Sequence, residues 1–284
     1  MRIGFLGYGE AARAFHDGLR RPGLSFLAYD IKLLEPDSGM RAAMRDGDVA
    51  ACDTVAALAE ADWIFSAVTA DQSLPAVEPL LPHLCQGQVL IDINSVSPER
   101  KRATARRVEA RGAVYLDMAV MAPVHPRKHG TPVLLAGPEA VRLLPELAGL
   151  GFSASVAGER PGDATAIKMV HSLFVKGLEA ITVETLLAAE ASGCLAEILS
   201  SLSASFPGLD WPRFAEYQFE RTTTHGRRRA AEMRESAATL DALGLHGALA
   251  DAVADVQQRM GEAGPAAGGD LHATVRAVLS TRLR

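Results

Sequence analysis

The feature that most restricts what this chain can fold into lies at its start. The apolar run Arg2–Leu6 leads directly into Gly7-Tyr8-Gly9-Glu10-Ala11-Ala12, and a segment of helical composition, Ala11–Leu19, follows. In a strand that turns at once into a helix, Gly7 permits the tight turn, Gly9 lets an anionic group approach the backbone, and small Ala12 lets helix and strand pack closely. The first N–H groups of such a helix have no intrahelical partner and favour an anion. A glycine pattern alone is a weak signal, but at the first strand–helix junction of a βαβ unit it marks a dinucleotide-binding fold.

The rest of the first half supplies that context. Short apolar runs at Ser25–Tyr29, Val49–Cys52, Trp63–Val68, Val89–Ile93, Val114–Leu116, Val133–Ala136 and Phe152–Val156 read as strands. Between them Ser73–Leu81, Pro98–Ala110 and Glu139–Leu147 read as helices, with Pro98 and Pro138 where helix starts tolerate proline. The alternation predicts an α/β, doubly wound Rossmann domain with a parallel sheet over residues 1–160. After Gly158 no further strand-like runs occur, and alanine- and leucine-rich stretches predict an all-α domain over residues 161–284. Asp163–Ala191 reads as one long interdomain helix, opened by the N-cap-type Asp163 and ended before Ser192-Gly193. Its apolar residues, among them Ile167, Val170, Phe174, Ile181, Leu186 and Leu187, exceed one narrow stripe, which implies burial against another domain or another subunit. Gly261–Gly269 reads as a loop between helices.

Composition removes several function classes. Against 34 acidic residues stand 29 Lys and Arg, a net charge of −5, so the chain lacks the overall footprint of a nucleic-acid binder. Cys52, Cys85 and Cys194 are widely spaced and form no C-x-x-C pair, which supports neither a disulfide framework nor a cysteine zinc site and fits a cytosolic redox setting. The opening apolar run is too short for a signal peptide, and nowhere do about 18 consecutive apolar residues occur, so a cytoplasmic location and no membrane partner are expected. His125 and His129 stand four apart, but Pro126 intervenes and no carboxylate completes a ligand set, so no metal is expected.

The candidate functional residues gather at the carboxyl ends of the strands, where doubly wound sheets bind ligands. Gly7, Tyr8, Gly9, Glu10 and Ala11 form the loop that would meet a pyrophosphate. Asp30 ends the second strand, where a carboxylate accepts hydrogen bonds from an adenosine ribose; this favours NAD, while nearby Lys32 leaves NADP open. Val68 and Thr69 at the end of the fourth strand and Asn94 after the fifth complete the cofactor set, and Ser95 is a substrate candidate; Ser95 or Ser97 also suits the cap of the helix starting near Pro98. On the long helix Lys168, His171 and Ser172 share one face. A lysine in an apolar helix must snorkel, pair or face a cleft, and beside a cationic nicotinamide it would serve as an acid or base near neutral pH. The basic stretch Arg221–Arg229 reads either as an anion-binding face for a substrate or as a solvated, salt-bridged helix face.

At these residues the chain resembles the β-hydroxyacid dehydrogenase superfamily, which includes 6-phosphogluconate dehydrogenase and 3-hydroxyisobutyrate dehydrogenase. The resemblance spans nearly the whole length: the glycine fingerprint, Asp92-Ile93-Asn94-Ser95, a substrate-loop region at Asp117-Met118-Ala119-Val120, and the lysine helix. It implies Lys168 as the catalytic acid/base, His171 and Ser172 as substrate contacts, a small acidic hydroxy or keto acid as substrate, and a homodimer with shared active sites. Thr222–Met233 further resembles a bacterial subgroup whose C-terminal domain is similar to that of 6-phosphogluconate dehydrogenase. Two departures stand out. Ser172 replaces the family's usual asparagine, and Met121-Ala122-Pro123 replaces its Ser-Gly-Gly, so Met121 and Ala122 stand where substrate contacts are expected without the serine hydroxyl, and Pro123 offers no N–H. Imine reduction and oxidative decarboxylation are alternatives on the same scaffold, and an NAD(H)-sensing protein without turnover is the alternative of a different class.

Overall fold

The computed structural model describes residues 1–35, 37–265 and 270–283. The chain forms two compact units that meet between Lys168 and Met169. In the first, β1 (Arg2–Leu6) is followed by α1 (Glu10–Leu19), β2 (Ser25–Tyr29), α2 (Met40–Asp46), β3 (Ala50–Ala51), β4 (Trp63–Ser66) and β5 (Val89–Asp92). Then come α3 (Pro98–Glu109), β6 (Val114–Val120), β7 (Val133–Ala136), α4 (Ala140–Leu150), β8 (Ala154–Gly158) and the first turns of α5 (Asp163–Ala191). The strands form one sheet in the order β3-β2-β1-β4-β5-β6-β7-β8.

Both faces of this sheet are apolar because helices cover both. Ile3 and Phe5 pack with Phe15 and Leu19 of α1 and Leu143 and Leu147 of α4. Leu6, Ile64 and Leu90, pointing the other way, pack with Leu58 and with Ala105 and Val108 of α3. Each fully buried side chain of this size contributes about 1.5–3 kcal/mol. Stacking of Phe65 on Phe5 and Phe152, with centroids 5.7 and 5.8 Å apart, adds specificity to the first face.

The α/β doubly wound architecture is as the sequence predicts, with four differences. The sheet is not wholly parallel: β7 runs antiparallel to β6, because the residues between them form a hairpin connection with no crossover helix. Strand β6 continues to Val120, so Asp117–Val120, expected in a loop, is mostly buried strand. Ser73–Leu81 forms turns rather than an α-helix, since Pro75 and Pro79 lack the N–H groups a helix needs. Asp163 is the first helical residue of α5 and not its cap.

The second unit consists, among the described residues, of the rest of α5 with α6 (Leu195–Ser205), α7 (Trp211–Ala242), α8 (Ala248–Ala263) and α9 (Leu271–Arg282). Val183 and Leu186 of α5, Phe219 of α7, Met260 of α8 and Val275 of α9 form its core. Helices α7 and α8 touch backbone to backbone at Gly226 and Gly261: a Cβ on Gly226 would stand 2.6 Å from the Gly261 nitrogen. Residues 261–263, expected in a loop, end α8, and residues 266–269 of that segment lie outside the described residues. Among the described residues no helix is long and apolar enough to cross a membrane.

Candidate cofactor and active site

Sheet order turns at β1, which has β2 on one side and β4 on the other, so the carboxyl ends of β1 and β4 border the crevice that doubly wound sheets use for ligands. Gly7 sits there with φ +84°, and a Cβ on it would lie 2.5 Å from the Ala67 carbonyl; both facts require glycine. Gly9 is different. It has an ordinary φ of −80° and caps α1 without a side-chain hydrogen bond. A Cβ on Gly9 would meet nothing within 4 Å, so its glycine is explained by no contact among the described residues. Together with the free N–H groups of the first turn, that open approach fits a pyrophosphate.

Asp30 caps the turn after β2 and is held from two sides: its carboxylate accepts from the Tyr8 N–H at 2.8 Å and the Lys32 N–H at 3.0 Å. A carboxylate has about four acceptor positions, so two remain for a ribose. The Tyr8 N–H is thus spent on Asp30, and its ring is buried in the core with the hydroxyl 3.0 Å from His16 Nδ1. Burial raises the Tyr8 pKa and lowers that of His16. Val68 and Thr69 follow β4, half-buried and exposed. Buried Asn94 ties this loop to β5, its Oδ1 accepting from the Val68 N–H at 2.7 Å and its Nδ2 donating to Ser66 Oγ at 2.9 Å. The fingerprint loop, Asp30, Val68 and Asn94 are therefore brought together, with Asn94 bracing the loop.

One step deeper lies a fully buried ionic cluster that sequence reasoning missed. Asp92 and Asp117 are register partners on β5 and β6. Lys101 of α3 stands between them, its Nζ 2.9 Å from Asp92 Oδ1, 3.3 Å from Asp117 Oδ1 and 2.7 Å from the Asp92 carbonyl oxygen. The Tyr115 hydroxyl donates to Asp92 Oδ2 at 2.7 Å, and burial beside the two carboxylates pushes its pKa well up. Asp117 Oδ2 accepts from the N–H groups of Gly162 and Thr165 at 3.0 and 3.1 Å, and its Oδ1 accepts from Thr165 Oγ1 at 3.1 Å. The cap of α5 is thus supplied by a carboxylate 45 residues earlier in the chain, and the helix start is pinned to the carboxyl edge of the sheet. Two apolar runs that each lead into an aspartate, Val89–Asp92 and Val114–Asp117, were the available signal, since such a pair brought into register requires a buried cation.

Lys168 lies three residues beyond Thr165, half-buried, so the pinned turn sets its place against the sheet edge. Farther along α5, His171 is exposed while Ser172 is buried. Ser172 Oγ accepts from Lys176 Nζ at 3.1 Å, and Lys176 pairs with Glu232 of α7 at 2.7 Å. Lys176 escaped the sequence reading because nothing marked it beyond one more lysine about two turns after Lys168. Ser95 and Met121 and Ala122, which follow β5 and β6, are half-buried. His125 is exposed, and His129 packs on Phe152, its pKa lowered by burial. Among the described residues no group of three or more His, Cys, Asp and Glu could hold a metal. In the basic stretch Arg229 is buried against Glu179 and Arg228 pairs with Glu232, so these two arginines form salt bridges on α7.

Known proteins share this fold. The model of the NAD binding domain of 6-phosphogluconate dehydrogenase matches residues 2–144, and a domain of unknown function (DUF1932) matches residues 189–260. A conserved hypothetical protein from Sinorhizobium meliloti is 34% identical, covering 99% of this chain and 96% of the other, with a TM-score of 0.76. An uncharacterized 28.5 kDa protein of Methanothermus fervidus is 25% identical over 240 residues, 83% of this chain and 89% of its own length. The Mycobacterium tuberculosis 3-hydroxyisobutyrate dehydrogenase solved with L-serine shares the fold, with a TM-score of 0.73 at 17% identity over 99% of this chain and 98% of the other.

Proposed function

Since the chain belongs to the family of the NAD binding domain of 6-phosphogluconate dehydrogenase, we propose that it is an oxidoreductase acting on a small acidic hydroxy or keto acid, with Lys168 as general acid/base. The observation that carries this reading is the pinning of α5 by Asp117, which holds the turn before Lys168 at the carboxyl edge where the fingerprint loop also lies.

In this reading residues 1–160 form the dinucleotide domain and residues 161–284 the substrate and dimerisation domain. Gly7–Ala11 hold the pyrophosphate, Asp30 accepts from the ribose hydroxyls and so prefers NAD to NADP, and Val68, Thr69 and Asn94 line the nicotinamide side. The nicotinamide, when bound, supplies or accepts the hydride. Lys168 gives a proton from Nζ to the substrate carbonyl oxygen in reduction and takes the hydroxyl proton in oxidation. Ser95, His171 and Ser172 orient the substrate, with Met121 and Ala122 beside it, and Lys176 fixes the Ser172 hydroxyl so that its proton points away from the ammonium. A homodimer is supported by the stripe of Ile167, Val170, Phe174 and Ile181 on α5, which is 46–73% exposed in the single chain.

A specific observation favours a second reading. Met121-Ala122-Pro123 offers neither a hydroxyl nor an N–H at position 123 for a substrate carboxylate, which suits an imine, and proton donation to nitrogen needs the same lysine geometry. The test is NADH oxidation with a panel of keto acids, with and without phosphate, against cyclic imines, run with wild type and Lys168→Met. Turnover of a keto acid that drops by orders of magnitude in the variant, with NADH affinity kept, supports the proposal. Turnover of imines alone selects the second reading, and near-normal activity of Lys168→Met refutes the role of the lysine.

A further inference from the structure

At the opposite end of the sheet from Gly7, where β1, β2 and β3 begin, lies a cavity of about 420 Å³ lined by Arg2, His16, Arg20, Arg21, Phe26 and Asp48, among others. Its lining carries three guanidinium groups against one carboxylate, a net charge of +2. Arg2 leans on Glu60 at 2.6 Å and Arg21 donates to the Gly149 carbonyl at 3.0 Å, so each keeps further N–H donors to offer. The Arg20 guanidinium makes no hydrogen bond or ion pair with any described residue.

Placement of Arg20 and Arg21 just after α1 has an ordinary explanation in the helix dipole. That explanation does not reach His16. Its ring is 1% exposed, it lines the cavity, and its Nε2 is buried without a hydrogen-bond partner among the described residues. The other ring nitrogen is 3.0 Å from the Tyr8 hydroxyl. With the phenol donating to Nδ1, a neutral imidazole that lines the cavity carries its hydrogen on the buried Nε2. A buried polar atom without a partner is costly, so a group that satisfies it is stabilising.

We infer that this cavity is a second ligand site, distinct from the dinucleotide crevice, for a small multivalent oxyanion of the phosphate class held by Arg20, Arg21 and the His16 Nε2–H. Arg2 contributes charge at the rim, and Asp48 limits affinity for the anion. The inference does not depend on the proposed reaction, because the residues that would bind the anion are separate from those assigned to cofactor or catalysis.

The experiment titrates the full chain, saturated with NADH so that the fingerprint loop is not open to anions, with inorganic phosphate and, in a second arm, with ribose 5-phosphate. Heat and the His16 Nε2 nitrogen resonance are followed together. Saturable binding that shifts this resonance, weakened at least tenfold in Arg20→Ala/Arg21→Ala and tightened in Asp48→Asn, is expected. Tighter binding in the second arm identifies a phosphate ester as the ligand, and tighter binding in the first identifies the free ion. Equal phosphate affinity in wild type and the double variant, or a His16 resonance unmoved at saturation, overturns the inference. NADH affinity in phosphate-free buffer should be the same in wild type and the double variant, which separates failure of this site from failure of the cofactor assignment.

Discussion

Lys101 is the residue whose loss the structure weighs most heavily. Its ammonium is fully buried, and its three short contacts go to Asp92 Oδ1, Asp117 Oδ1 and the Asp92 carbonyl. Unit charges about 4 Å apart attract by about 4 kcal/mol at an effective dielectric near 20, and Lys101 makes two closer contacts than that. Desolvation of all three ions offsets much of this attraction, so the net value of the cluster is small. Its disruption is a different matter: methionine at 101 matches the lysine stem but leaves two register-paired carboxylates facing each other without a cation. Removing one member of a buried pair in this way costs about 3–5 kcal/mol, a large share of the roughly 5–15 kcal/mol that holds a domain folded. Lys101→Met/Asp92→Asn should recover about half the loss, because the remaining Asp117 still accepts from Gly162, Thr165 and the Thr165 hydroxyl. The assay is urea unfolding followed through buried Trp63 on β4, in the same sheet. A loss below about 1 kcal/mol for Lys101→Met, or no recovery in the double variant, would refute the view that this lysine neutralises the pair.

Other expectations follow from the same geometry. Asp30→Ala should weaken NAD binding more than NADP binding in parallel titrations, and equal losses would remove the reason to prefer NAD. Thr165→Val should lose about 1.5–3 kcal/mol through the hydrogen bond to Asp117, and Thr165→Ser should restore most of it; unfolding curves decide, and equal stability of both variants with wild type contradicts the anchor. Burial holds His129 below the ordinary imidazole range. The unfolded chain therefore binds more protons than the folded one below about pH 6.5, and stability falls as pH drops through that window. His129→Gln should flatten this slope by up to about 1.4 kcal/mol per pH unit; an unchanged slope between pH 5 and 6.5 is the opposing outcome.

What could be read from the chain alone was whatever depends on local pattern. The runs that became β1, β2 and β7 and the 29-residue α5 are visible as apolar runs bounded by glycine, proline and caps, and their limits agree with the structure. The fingerprint is legible because Gly7 needs its positive φ and its contact with Ala67 wherever a strand turns this way. Long-range bookkeeping of charge was not legible. The cap of α5 was sought next to the helix, at Asp163, whereas the structure supplies it from Asp117 across the sheet edge. Asn94 reads as a ligand contact because it leaves a strand at the carboxyl end; only the third dimension adds that its side chain also braces Val68 and Ser66. The segment 73–81 shows the limit of composition: its residues suit a helix, and its prolines forbid one.

The claim on which the functional account rests is that a dinucleotide seats its pyrophosphate over Gly9, and Gly9→Val tests it most directly. Since a Cβ there meets nothing within 4 Å, the variant should fold, with its melting temperature lowered only by the poorer N-cap, while its side chain fills the approach to the backbone. NADH titration by fluorescence should show one site per chain in wild type and at least a tenfold weaker affinity in the variant. Undiminished NADH binding by a normally folded Gly9→Val protein would contradict the account.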